Sequence, residues 1–555
     1  MKKSLLFLIG AFAVSALQAQ WVNDPATNTK LATATPTAGE IYLRANDASG
    51  DTYIQWSDST SVGRGVNLQR INVNGVPQWG DRGLQINDYQ FYSWSPGYAL
   101  ATTSDNGAVT CFRNTDDECI AIKLDKDGNK LWNGQGISVF EFPEGSSGCQ
   151  RVELLADTDG GVWVLAADLE NTYVRRINAD GTLNPAITIS DADYNCLFGQ
   201  MVPGNNGTIF VVYKKISPKT SGVSTINNEI WVVSYNIDGT IATLPAQLMA
   251  SCLFDVQNIH QVIPDGIGGG YVYICHDYYN EQGELEPHNS FVFHFDANGQ
   301  STFSAPQGIT VHSNDHFYHY VEPYATVDPI THDIILVFCQ IDTDTQSESR
   351  LYMNRITTTG DVLWDEGILV ADHDGLPYTE QTIDTYPNGN GFMVSYNHGT
   401  SLGDLHTTIE AVGYDMNGVQ TWHTQMNSDK EIKTSALNTT GFHNGQNILV
   451  WTNLNDGNIY GQNIDMNGKM GSITSVSENG NVMSASIFQN GNSLIVSSEG
   501  LSQVEIISIT GQSIKTVKAN GNAAEINVSG MTKGLYIVRM NDANGNVVVK
   551  KTVIR

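Results

Sequence analysis

Val152-Glu-Leu-Leu-Ala156, Asp157-Thr-Asp-Gly-Gly161, Val162-Trp-Val-Leu-Ala-Ala167, Thr172-Tyr-Val-Arg-Arg-Ile177 and Asn178-Ala-Asp-Gly181 read in order as strand, turn, strand, strand, turn. The middle run is apolar enough to be covered on both faces, and the last is more alternating. Glycine at the end of each turn takes a positive φ without steric cost. A fourth, more polar strand leads onward. Four strands of graded polarity make one wedge-shaped sheet.

The closing turn returns eight times, at Gly75, Gly128, Gly181, Gly239, Gly299, Gly360, Gly418 and Gly468, spaced 50 to 61 residues apart. Trp79, Trp132, Trp364 and Trp422 each stand four residues after one of these glycines, and Phe303 holds the same offset after Gly299. A period of this size, with β-type sequence in every unit, predicts a radial array of four-stranded sheets. The fold class expected is therefore all-β: an eight-bladed β-propeller, with seven blades as the nearest alternative, over residues 20–478. Trp21-Val-Asn-Asp resembles Trp132-Asn-Gly-Gln, so the N-terminal stretch is expected to give an outer strand to the last blade. That closure would remove a free sheet edge. The tryptophans read as packing between neighbouring blades.

The two ends carry different signals. Residues 1–19 have the layout of a secretory signal: Lys2 and Lys3, an apolar run from Leu5 to Val14, then small residues from Ser15 to Ala19. The run is too short for a membrane span of about 20 residues, and no span is expected elsewhere. From residue 479 the long period stops, and a β-rich unit runs to Arg555. Its motifs are Val504-Glu-Ile-Ile-Ser-Ile-Thr-Gly511-Gln, Ile526-Asn-Val-Ser-Gly-Met-Thr-Lys-Gly534-Leu-Tyr536-Ile-Val and Val549-Lys550-Lys551-Thr-Val-Ile-Arg555. This segment resembles the C-terminal sorting domain of type IX secretion cargo of Bacteroidetes, and the body is similar to propeller repeat proteins of the same type. The resemblance implies a small β-sandwich, the type IX machinery as partner, and passage through the periplasm and outer membrane to the surface or medium. Gly511, Gly534, Tyr536, Lys550 and Lys551 are the residues that carry it.

Fifty-eight acids against 29 bases give a net charge of −29. That balance repels nucleic-acid phosphates and anionic membranes, so neither is an expected partner. Seven cysteines show no Cys-x-x-Cys spacing, so no zinc site is expected. Cys111 and Cys119 flank a turn and could face each other across a hairpin. Asp125-Lys-Asp127-Gly128 and Asp296-Ala-Asn298-Gly299 resemble fragments of calcium loops but lack the closing Glu. They read as hairpin turns, leaving only loosely held Ca2+ and no cofactor or metal site.

Loop length is asymmetric. Connections between second and third strands swell at Ser217–Asn228, Tyr278–Asn289, Asp342–Arg350 and His398–Thr408. They share a face with the blade-to-blade connectors, because neighbouring strands are antiparallel. Long loops on a rigid scaffold are where binding is usually placed. Candidate ligand contacts are His312, Asp315, His316, His319 and Glu322 in one connector. Gln200, Gln261 and Gln381 join them at the starts of inner strands, where Glu153 also lies. No catalytic signature is present. The expected function is a secreted or surface binding protein taking a glycan or a protein. The alternatives are a glycan hydrolase or lyase using Glu322, Asp315 and Asp277 at the channel mouth, and a structural surface component.

Overall fold

A computed structural model of the protein describes residues 21–35, 41–45, 49–88, 97–216, 228–252, 261–279, 285–304, 308–311, 317–319, 324–342, 348–365, 367–374, 381–399, 407–429, 434–471, 486–498, 500–508, 513–519, 521–542 and 547–554. The chain divides into two compact units, Met1–Ile473 and Thr474–Arg555. Apart from a single 3-10 turn at Asn205–Gly207, the regular structure among the described residues is strand.

The first unit holds eight antiparallel sheets in chain order. Their inner strands are Ile41–Ala45, Tyr98–Thr102, Arg151–Ala156, Asn195–Pro203, Gln261–Pro264, Tyr324–Val327, Gln381–Thr385 and Thr434–Thr439. Each inner strand touches the next, and the eighth touches the first, so the ring is closed. The unit is an eight-bladed propeller. Among the described residues blade six carries one strand more than the others: Phe317–His319 pairs with the far end of Ile334–Asp342, beyond the inner strand proper.

Closure comes from the N-terminus. Thr29–Ala32 pairs antiparallel with Ile459–Ile464, the third strand of blade eight, and becomes its outer strand. Leu31 and Ala32 are buried with Trp21, Trp56 and Ile459 in one cluster across the seam. Gln462 donates to Val22 O, and Asn28 donates to Met426 O over 2.9 Å.

The recurrent indoles explain the recurrent glycines. Trp132 Nε1 donates to Ala179 O over 3.1 Å, and the ring lies flat on Gly181 of the next blade's turn. Trp422 does the same to Met466 O, 2.9 Å away, against Gly468. At either glycine an added Cβ would come within 2.6 Å of the indole, and φ is +89° and +76°. Trp79 reaches Lys126 O beside Gly128, and Trp21 reaches Val73 O beside Gly75. In each case the acceptor is the residue two before the glycine. Trp21 thus supplies from the N-terminus the clasp that blade eight needs on blade one. Phe303 packs against Gly360 without a donor.

A second recurrent bolt fixes each blade internally. A cation near the end of the third strand pairs with an acid of the turn after the first: Arg70 with Asp51, Lys123 with Asp105 (2.8 Å), Arg176 with Asp157 (2.6 Å) and Arg355 with Asp328 (2.7 Å). His294 and Asp265 occupy the same places in blade five, 3.1 Å apart. The cationic side chains are nearly buried. Where the cation has no other acid, removing its partner costs on the order of 3–5 kcal/mol, because a buried charge is left uncompensated; Asp159 and Asp333 give Arg176 and Arg355 a second partner.

Cys111 and Cys119 are unbonded, and they are not directly opposite: Cys111 pairs with Ala121, and Cys119 with Arg113. They do share a sheet face, with their sulfurs 3.3 Å apart. Cys149 completes a buried trio against Cys119. Burial pushes the Cys119 thiol well up, and contact with Cys119 does the same to Cys149.

The second unit is a sandwich. Ser486–Asn490, Ser493–Ser497 and Ala523–Asn527 form one sheet. Ser513–Lys518, Leu501–Ser508, Gly534–Asp542 and Val547–Ile554 form the other. Leu494, Val504, Ile506, Ile526, Val538 and Met540 fill the space between them. It has a core of its own.

Candidate functional site

Strand direction sorts the loops. Turns after first and third strands lie on one face of the wheel and are tight. Hairpin tips between second and third strands, and the blade-to-blade connectors, lie on the other. The hairpins on that second face differ in height. In blade three the second and third strands have 6 residues each, whereas in blade five they have 10 and 11. Both start from the tight-turn face, so at about 3.4 Å per residue the blade-five hairpin rises roughly 15 Å higher. Blade six follows with 9 residues in each strand, and blades one, four and seven have 8. Blades five and six therefore build the highest part of this face, a raised wall over one side of the hub.

The hub itself is lined by inner-strand edges, whose backbone groups on the lumen side have no sheet partner. Side chains from the neighbouring blade supply one. Gln200 Oε1 accepts from Val262 N at 2.8 Å, and Gln261 Oε1 accepts from Ala325 N at 2.8 Å. Thr102 Oγ1 donates to Ala45 O, Thr385 Oγ1 to Val327 O and Asn438 Nδ2 to Ile41 O. Gln200 and Gln261, expected at a ligand, are thus engaged in stitching adjacent blades. Gln381 is buried at the start of its strand in blade seven.

Charged groups gather in the wall of the hub. Glu153 is held by Arg151 at 2.8 Å, and Arg44 of blade one lies close enough to feel its charge across blade two, whose Ala99 and Ala101 are small. Asp384 of blade seven accepts from Thr439 Oγ1 at 2.9 Å and from Asn447 Nδ2 at 2.8 Å. Burial raises its pKa to about 6, outweighing those two hydrogen bonds. Sequence reasoning missed Asp384, since its partners lie 55 and 63 residues away.

The sign of the effect follows from linkage. A carboxyl whose folded pKa lies above its unfolded value binds more protons in the folded state between the two. Stability therefore falls as pH rises from about 4 to 6. With about 1.4 kcal/mol per pKa unit, the penalty above pH 6 is on the order of 2–3 kcal/mol. Asp384→Asn should lack this segment of pH dependence. Denaturant melts of both proteins at pH 4, 5, 6 and 7 measure it, and parallel curves would refute it.

Of the other expected contacts, His312, Asp315, His316 and Glu322 lie outside the described residues. His319 ends the added strand of blade six, opposite Gln340, on the raised side of the hub. Asp277 lies within the tall second strand of blade five. No cluster of three or more His, Cys, Asp or Glu side chains suited to a metal exists among the described residues. The Asp125 and Asp296 turns accept their own backbone N–H groups at 2.9 Å, as hairpin turns do.

In the second unit Tyr536 Oη donates to Thr532 O at 2.8 Å, and Gly534 begins the strand that Tyr536 continues. Lys550 and Lys551 stand on the terminal strand opposite Val538 and Ile537. Gly511 lies outside the described residues. Residues 489–555 match the family model described as the secretion system C-terminal sorting domain. The protein is exported cargo. The sorting domain directs it to the cell surface or beyond, through the type IX machinery. No helix among the described residues is long and apolar enough to cross a membrane.

A search of curated proteins finds no match to this chain. Among solved structures, a puromycin hydrolase is similar at 12% identity and a TM-score of 0.41, over 77% of this chain and 62% of that one. A polysaccharide lyase is similar at 11% identity and a TM-score of 0.41, over 82% of this chain and 94% of that one. An endo-arabinase from Bacteroides thetaiotaomicron follows at 11% identity and a TM-score of 0.27, over 54% and 88%. Likenesses of this degree carry nothing about activity.

Proposed function

We propose that the exported propeller is a binding protein whose raised face takes a glycan at the cell surface. The observation that supports this is the growth of the blade-five and blade-six hairpins on the face opposite the tight turns. Tall hairpins beside a polar hub give a concave, hydrogen-bonding surface, which suits a polyhydroxylated ligand. The acidic character of the chain favours neutral glycans over polyanions.

The test is a glycan-binding screen with the full chain and with a variant whose blade-five hairpin is closed early. Replacing residues 277–288 by Asn-Gly leaves His276 paired with Asn289 across a two-residue turn, so the strand pair below is intact. Binding should fall at least tenfold in the shortened protein while its melting curve is unchanged. Equal binding by both would place the site elsewhere.

A second reading, a glycan hydrolase or lyase, draws on Asp384. A carboxyl with a pKa near 6 in the hub wall has the protonation behaviour of a general acid. New reducing ends or unsaturated sugars released from a glycan, and their loss in Asp384→Asn, would favour it.

A further inference from the structure

The ring is joined without a covalent link between blade eight and blade one, and a cavity of about 160 Å³ lies at that join. Thr35, just beyond the N-terminal strand, forms one wall, and Asp58, Thr60, Asn67, Arg82 and Gln85 of blade one form the rest. Thr60 and Thr35 place it towards the raised face. Two local features leave the space open. The outer strand of blade one is only Leu84–Gln85, and the N-terminal strand shifts register between Lys30 and Ala32.

Asn67 is the informative residue. It is 9% exposed, lines the cavity, and its carboxamide has no hydrogen-bond partner among the described residues. Several other amides in third strands reach protein carbonyls. Gln69 donates to Gly80 O, Asn354 to Val311 O at 2.6 Å, and Asn463 to Gly471 O at 2.8 Å. The polar atoms of Asn67 open into the cavity, where water meets them until a ligand takes its place.

The rest of the lining has defined spare capacity. Asp58 already accepts from Thr35 N and Ser59 N, and it pairs with the Thr35 hydroxyl, so its position is fixed. Gln85 Nε2 donates to Asp88 Oδ1 at 2.8 Å, which leaves its Oε1 as an acceptor. The Arg82 guanidinium is exposed at the rim. Together these groups offer donors and acceptors around a space of roughly five water volumes. That is below the range of drug-sized pockets. It suits one ring bearing several hydroxyls.

We propose that this cavity binds a single sugar residue, the end unit of a glycan, with the Asn67 carboxamide hydrogen-bonded to its hydroxyls. The proposal rests on the glycan-binding reading of the raised face and adds a subsite at the ring join. Occupation would tie the N-terminal segment to blade one, so the ligand also reinforces closure.

The experiment uses the full chain and saturation-transfer NMR with free glucose, galactose, mannose, N-acetylglucosamine and glucuronate. At least one should give transfer at millimolar concentration. Asn67→Leu, nearly the same shape without the polar atoms, should abolish that transfer and leave Tm unchanged, since no protein partner of the amide is lost. A merely structural Asn67 would instead lower Tm on substitution. The proteins with the shortened blade-five hairpin should keep the monosaccharide signal even as the larger glycan is lost, which separates this subsite from the raised wall. No transfer with any of the five sugars, or undiminished transfer in Asn67→Leu, would overturn the proposal.

Discussion

A chain begun at residue 36, lacking the N-terminal strand and Trp21, should fail to give a cooperatively folded propeller. Blade eight would keep three strands and expose the unpaired edge Ile459–Ile464. Trp21 and Leu31, 4% and 0% exposed in the intact ring, would be lost from the cluster that joins blades eight and one. Each is worth about 1.5–3 kcal/mol or more by burial alone, and the strand's ladder bonds and the Trp21 clasp add to this. Against a total stability of about 5–15 kcal/mol, the loss is decisive. Circular dichroism and calorimetry should show no sharp transition, or one lowered by tens of degrees. A synthetic peptide of residues 21–35 should restore the transition by adding the strand back. A truncated protein that melts like the intact one would refute the closure argument. Trp21→Ala alone should cost about 3–5 kcal/mol.

Deleting residues 489–555 should abolish surface display while sparing the propeller. Residues 489–555 match the secretion system C-terminal sorting domain, and its core of Leu494, Val504, Ile526 and Val538 is its own. Cell fractionation with an antibody to the propeller should find the deleted protein in the periplasm, with none at the surface or in the medium. Its melting transition should equal that of the propeller in the full chain. Surface signal at the intact level would show that another part of the chain is read for export.

Much of this architecture was legible because it is local and repeated. The Asn-Ala-Asp-Gly181 turn and its seven relatives set the blade count, and the Trp21 echo of Trp132 announced the closure. The cation–acid bolts were also within reach. A basic residue two positions before the turn, with an acid in the preceding turn, recurs in blades one, two, three and six. The hub was not legible. Gln200 and Gln261 looked like lumen-facing amides, yet each is spent on a backbone more than 60 residues away. Asp384 and Asn67 have no local signature at all. What distinguishes them is how their surroundings are filled, and distant strands decide that.

The seam has a consequence for the order of events in the cell. Its two halves lie at opposite ends of the propeller sequence, because Thr29–Ala32 needs Ile459–Ile464 as its template. A chain delivered N-terminus first must hold its leading segment undocked until almost the whole body has followed. Locking is thus the last act of maturation, and a chain cut short before residue 459 can never perform it. Incomplete molecules would remain recognisable by a loose leading strand, open to proteases that the finished wheel excludes.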